Sequence, residues 1–338
     1  MPTHIGRNNV QKGRLKVEID MKFALKSLVV ASAMVAAGVA NAAAVTGTIG
    51  NAVTVTDPAG SGRVAELTLL SGSGALAFSN TGYDGVDPNT LGGLIGALNV
   101  GNVAITGTGG VTVKESFVDD GFGGLVRVTS VATAPVVALT ADNVTGQVLA
   151  VASTGGATQT GSRIGGTLTG GVANVTNLKF DLANKVVYAD LVGTKSAVGT
   201  VAAQNFNLPG TALWNIGAIS GPTVIPPKAL LDANPVTAMA AAGFSNIVKK
   251  TDARGVYYEA DAFNTISGLS VTTAGFNFFS GSLGLLSTGV NALKAVADYG
   301  TVTSQLHFSV REVPEPSTYA LMGLGLVGIS LVARRRAK

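Results

Sequence analysis

Short runs in which every second residue is β-branched or apolar recur along this chain and constrain its fold more than any other feature. Val53-Thr54-Val55-Thr56, Val111-Thr112-Val113-Lys114, Leu125-Val126-Arg127-Val128 and residues 301–308 all alternate with period two. Successive side chains of a strand point to opposite faces, so these runs read as strands with one face buried and the other wet. Gly, present 45 times in 338 residues, punctuates them as turns would, and strong helix formers such as Glu, Lys and Gln are scarce. The clearest hairpin is residues 175–192. There Leu178, Phe180 and Leu182 share a face, Ala183-Asn184-Lys185 turns the chain, and Val187, Ala189 and Leu191 return.

A helical period appears in two places. Residues 227–242 open on Pro and are rich in Ala, and residues 281–297 repeat Leu286, Val290, Leu293 and Val296 at three and four residues. The pattern predicts a mainly β fold: an antiparallel β-sandwich-like exported domain over residues 43–312 with one or two short helices. The Gly/Thr/Ser-rich stretch 154–171 and the Pro-rich stretch 220–227 read as connections within that domain, because neither comes with a change of charge.

Charge and composition exclude several functions. The chain carries a formal +4, but residues 43–312 hold 13 of the 23 Lys/Arg and 16 of the 19 Asp/Glu, a formal charge of −3. A mildly acidic domain offers no handle for phosphate backbones, so nucleic acid is not an expected partner. With no cysteine there are no disulfides, thiolate metal sites or Cys nucleophiles. His307 is the only histidine after residue 42 and no GxSxG occurs, so neither a multi-His metal site nor a nucleophile elbow is available; His307 reads as an ordinary strand residue. No cofactor and no catalytic residue is assigned, and the chain reads as a non-enzyme.

Two patterns still offer chemistry. In Tyr257-Tyr258-Glu259-Ala260-Asp261 a strand would turn Tyr257, Glu259 and Asp261 to one face, with the carboxylates roughly 6.6 Å apart along it. That separation resembles a glycosidase pair in number only, since such acids face each other across a cleft; a solvated sheet face is the other reading. Asp84, Asp87, Asp119 and Asp120 lie beside glycines as calcium ligands do, although Asp-Gly is also ordinary turn chemistry.

The ends read as addresses. Lys22 and Lys26, an apolar stretch over residues 28–39, and Ala40-Asn41-Ala42 make residues 21–42 a secretory signal peptide, cut at the small residues Ala40 and Ala42. Residues 1–20 read as an upstream mis-start or an extended basic region. In residues 313–338, Pro314-Glu315-Pro316 precedes a short apolar run that Arg334, Arg335 and Arg336 cut off. The run reads as a single transmembrane sorting helix whose arginines stay cytoplasmic as a stop. Gly323-Leu324-Gly325-Leu326-Val327-Gly328 matches GxGxxG but follows no strand and leaves too few residues for a dinucleotide fold.

This order of Pro-Glu-Pro, apolar run and arginines resembles the PEP-CTERM sorting signal. The resemblance implies an exosortase as partner, processing near Pro314-Glu315-Pro316 after the helix has parked the chain in the inner membrane. It also implies a Gram-negative, exopolysaccharide-producing host, and a surface or extracellular destination. The function expected is therefore a non-enzymatic cell-surface or matrix protein associated with exopolysaccharide or biofilm. A polysaccharide-binding module is the alternative, and a secreted hydrolase is a further one.

Overall fold

The structure, a computed structural model, describes residues 43–56, 64–87, 90–224 and 233–313. The signal peptide with Ala40 and Ala42, the sorting residues Pro314, Glu315 and Pro316, and Arg334 to Arg336 lie outside the described residues. So does the expected membrane helix. Among the described residues no helix is long and apolar enough to cross a membrane.

Strands β1 (Ala44–Thr48), β2 (Ala52–Thr56) and β3 (Val64–Phe78) precede helix α1 (Gly93–Val100). Nine strands follow: β4 (Ala104–Thr108), β5 (Thr112–Asp119), β6 (Leu125–Asp142), β7 (Val148–Ser153), β8 (Gly156–Gly161), β9 (Gly171–Asp181), β10 (Val186–Lys195), β11 (Gln204–Asn215) and β12 (Ala218–Ser220). Helix α2 (Pro235–Ala241) leads to β13 (Ser245–Asp252), β14 (Gly255–Ser267) and β15 (Ser270–Val271). Helices α3 (Thr273–Ser282) and α4 (Ser287–Lys294) come before the last strand, β16 (Gly300–Val313). The fold is mainly β, and the paired strands are antiparallel.

The hydrogen-bonded path runs β12-β14-β16-β3-β6-β7-β9-β10-β11-β15. Strand β6 joins its two halves. Residues up to Pro135 pair with β5 and β3, and residues from Val136 onward pair with β7 and β1. Pro135 sits at the change of partner, where a residue without an N–H costs the ladder least. In β3 a bulge between the pairs His307↔Ser71 and Phe308↔Leu69 leaves Leu70 over, so the inward set shifts from Leu67 and Leu69 to Gly74 and Leu76.

The two halves of the path face each other across the core. Leu76, Ile266 and Val302 from one side pack with Val175, Val187, Leu191 and Leu213 from the other. Each such side chain contributes about 1.5–3 kcal/mol by leaving water. A second cluster joins Leu67, Leu69, Ala260 and Val310 to Met239 of α2, with Phe244 edge-on to Phe308 at 5.2 Å. Where the facing side chains are small, at Gly74, Ala132, Ala134 and Ala157, the core leaves a cavity of about 160 Å³.

The expectation of one or two helices is corrected to four among the described residues. The region predicted as one helix over 281–297 holds the end of α3 and all of α4, parted at Gly284, whose φ of +64° no continuing helix adopts. α1 has two glycines and little intrinsic helix propensity, which hid it. It is held instead by tertiary contacts: Leu94, Ile95 and Leu98 are buried, and Ser79 accepts bonds from Leu94 N on its hydroxyl and from Ile95 N on its carbonyl. α2, which falls within the predicted span 227–242, starts where Asn234 caps Thr237 N and Pro235 takes the first turn; residues 227–232 of that span lie outside the described residues. The predicted hairpin is β9–β10, with Asp181 opposite Val186.

Candidate functional site

Strands β13, β14 and β16 build a polar patch on the outer face of the sheet. Along β14, Tyr258, Ala260 and Ala262 point into the core, so period two sends Tyr257, Glu259 and Asp261 outward. β16 places His307 directly opposite Asp261, and β13 brings Asn246 and Lys250 over the same face.

His307 stands between the two acids. Its Nδ1 lies 2.7 Å from Asp261 Oδ1 and its Nε2 3.5 Å from Glu259 Oε2. A carboxylate accepts only, so Nδ1 carries the hydrogen toward Asp261. Asp261 also accepts from Asn246 Nδ2 at 2.7 Å and Gln305 Nε2 at 3.3 Å. Burial pushes the Asp261 carboxyl up, but the bonds from Asn246, His307 and Gln305 outweigh it and hold the group below the ordinary carboxylate range. Glu259 is paired with Lys250 Nζ at 2.5 Å, and that bond raises the lysine.

Four residues further along β16 than His307, the Arg311 guanidinium grips Asp252 with both nitrogens, at 2.7 and 2.5 Å, and lies 5.1 Å over the ring of Tyr257. The Arg311 bonds hold the Asp252 carboxyl down to about 2. Arg254, in the β13–β14 turn, pairs with Glu66 of β3 at 3.0 Å. Tyr257, Glu259 and Asp261 are thus members of a lattice of charges across four strands.

This arrangement orients side chains but assembles no reacting pair. Glu259 and Asp261 converge on one imidazole instead of facing each other over a cleft, and neither borders the cavity. The Asp261–His307 contact resembles the orienting half of a triad, but the second ring nitrogen meets Glu259 and not a hydroxyl.

Three of the four aspartates considered for calcium close their own turns. Asp84 accepts from the amides of Val86 and Asp87, Asp119 from Gly121, and Asp120 from Phe122 and Gly124. Those amide bonds hold Asp84 and Asp120 below the ordinary carboxylate range. Among the described residues no three His, Cys, Asp or Glu side chains gather as metal ligands would. Trp214, the one aromatic of its kind, is 6% exposed and cannot serve as a surface platform for a sugar ring.

Sequence patterning found the outward acids but treated His307 as a plain face residue, since only the β14–β16 register reveals what it opposes. It also missed Asn246, whose approach depends on a register shift in the β13–β14 pair between Ser245 and Val248.

Comparison with known proteins places one segment. No curated protein matches the chain. A solved structure that is similar over part of the fold is the heme binding protein HtaB from Corynebacterium glutamicum: 12% identity, 75% of this chain and 98% of that chain covered, TM-score 0.34. The model of the PEP-CTERM protein-sorting motif matches residues 312–336. The chain therefore carries the PEP-CTERM sorting motif of an exosortase substrate, and the motif starts on Glu312 and Val313, the last two residues of β16.

Proposed function

We propose that the chain is a non-enzymatic cell-surface or extracellular-matrix protein, delivered by a signal peptide and an exosortase and associated with exopolysaccharide or biofilm. The PEP-CTERM motif implies export and sorting to the cell surface. The observation that carries the proposal is where that motif begins. Glu312 and Val313 pair with Ala65 and Val64 of β3, and Pro314, the first residue of the recognition tripeptide, is the next residue in the sequence. The recognition tripeptide thus follows the folded domain without a linker, and cutting there would leave β16 whole.

The non-enzymatic part is supported by the outer patch, where both acids of Tyr257-Tyr258-Glu259-Ala260-Asp261 are committed to Lys250, Asn246 and His307. The exopolysaccharide part is supported by the kind of host in which such signals occur. Two experiments test the proposal. Glu315→Ala, or Pro314→Ala with Pro316→Ala, should leave membrane insertion intact, since the apolar run and arginines remain, and should stop release to the surface in a host with an exosortase. Release as efficient as the parent's removes the sorting role. Co-sedimentation of the released protein with the host's exopolysaccharide tests the association, which fails if the protein stays in the supernatant.

A further inference from the structure

Three residues that line the cavity between the facing halves of the sheet each carry a buried polar atom without a protein partner: Trp214 Nε1, Tyr299 OH and Gln159 Oε1. Their residues are 6%, 1% and 8% exposed. Buried polar groups are almost always paired, and a protein that leaves them unpaired loses stability by it. Other polar groups of the same wall follow the rule, Ser153 bonding to the Leu178 carbonyl and Asn264 to that of Pro222. Ser130 Oγ of β6 is a further exception and lies apart from the cavity, but these three share one space although they come from separate parts of the chain: β8, β11 and the residue before β16.

Most of the rest of the wall is apolar, with Leu76, Leu98, Phe279 and Leu293 among its side chains, and no charged residue lines it among the described residues. A charged guest would lose its hydration and find no counterion, so the site selects a neutral one. The volume of about 160 Å³ compares with the roughly 150 Å³ apolar cavity that holds a benzene ring. The indole N–H only donates, the amide oxygen only accepts, and the phenol can do both. Burial pushes the Tyr299 phenol up, so it keeps its proton.

We propose that this cavity is a binding site for a small uncharged ring compound bearing hydroxyl groups, its ring against the leucines and its hydroxyls on Trp214, Tyr299 and Gln159. The site does not depend on the surface role proposed above, and an exported protein with such a cavity would carry or sense a small neutral alcohol or phenol.

Trp214 is the only tryptophan in the chain, so its fluorescence reports on the cavity wall alone. The test titrates the full chain, purified in detergent, with cyclohexanol, cyclohexane and cyclohexanecarboxylate. Cyclohexanol should give a saturable shift of Trp214 emission, and the carboxylate should bind at least about a hundredfold more weakly. Gly74 faces open space, a Cβ there meeting nothing within 4 Å, so Gly74→Leu should fill the cavity and weaken cyclohexanol at least about tenfold while micelle uptake stays the same. Tyr299→Phe keeps the ring and removes the hydroxyl; it should weaken cyclohexanol about tenfold and leave cyclohexane unchanged, a split that mere loss of structure does not produce. No saturable shift with cyclohexanol, the outcome if water alone serves the three groups, overturns the proposal. So does equal binding of the carboxylate, a folded Gly74→Leu chain that still binds, or a Tyr299→Phe chain that loses nothing.

Discussion

Replacing Asp261 with Asn tests whether the outer patch holds β13, β14 and β16 together through one carboxylate. Asp261 accepts from His307 and Asn246 at 2.7 Å and from Gln305 at 3.3 Å. A hydrogen bond to a charged group contributes about 1.5–3 kcal/mol. The full sum is not lost, because Asn246 and Gln305 are exposed enough to rehydrate and the Asn carbonyl can still accept one bond. A net loss of about 2 kcal/mol at pH 7 follows, or a fall of about 1 M in the urea midpoint for a slope of about 2 kcal/mol/M. The pH dependence has a definite sign. The folded carboxyl lies below its ordinary value of 3.8, so its stabilisation is fully present above that value and is lost as pH falls through the folded one. The gap between parent and variant should hold from pH 7 to about pH 5 and narrow below 3.8. Urea unfolding followed by Trp214 fluorescence at pH 7, 5 and 3 measures it. A variant as stable as its parent at pH 7, or a gap of equal size at pH 3, would refute the reasoning.

Phe278, 1% exposed and edge-on to Phe206 at 6.4 Å, anchors α3 on the sheet; Phe278→Ala should cost about 3–5 kcal/mol in urea unfolding. Arg311→Lys should lower the urea midpoint at pH 7, because an ammonium cannot reproduce the two-pronged contact with Asp252. That difference should fade as pH falls toward about 2, where Asp252 takes up its proton. Chelator should leave the thermal midpoint of the protein unchanged, since Asp84, Asp119 and Asp120 are satisfied by backbone amides; a drop in the midpoint would reopen the calcium reading.

Sequence by itself determined the local matters. Period-two runs at residues 53–56, 125–128 and 301–308 sufficed for strands, because alternation is a property of one strand and its two faces. The sorting motif was legible for the same reason: Pro-Glu-Pro, an apolar run and arginines act as linear text. Pairing of distant strands was not legible. That Asp261 meets His307, 46 positions away, depends on the β14–β16 register, and the surplus Leu70 shifts the inward set of β3 by one, so alternation cannot be carried through it. α1 is helical because Ser79 and the core hold it, against the preference of its glycines. Gln159, Trp214 and Tyr299 are unremarkable in their own strands and loops. Only the facing of β8 and β11 across to the start of β16 brings these residues to one cavity, because that depends on how layers stack, which no local spacing encodes.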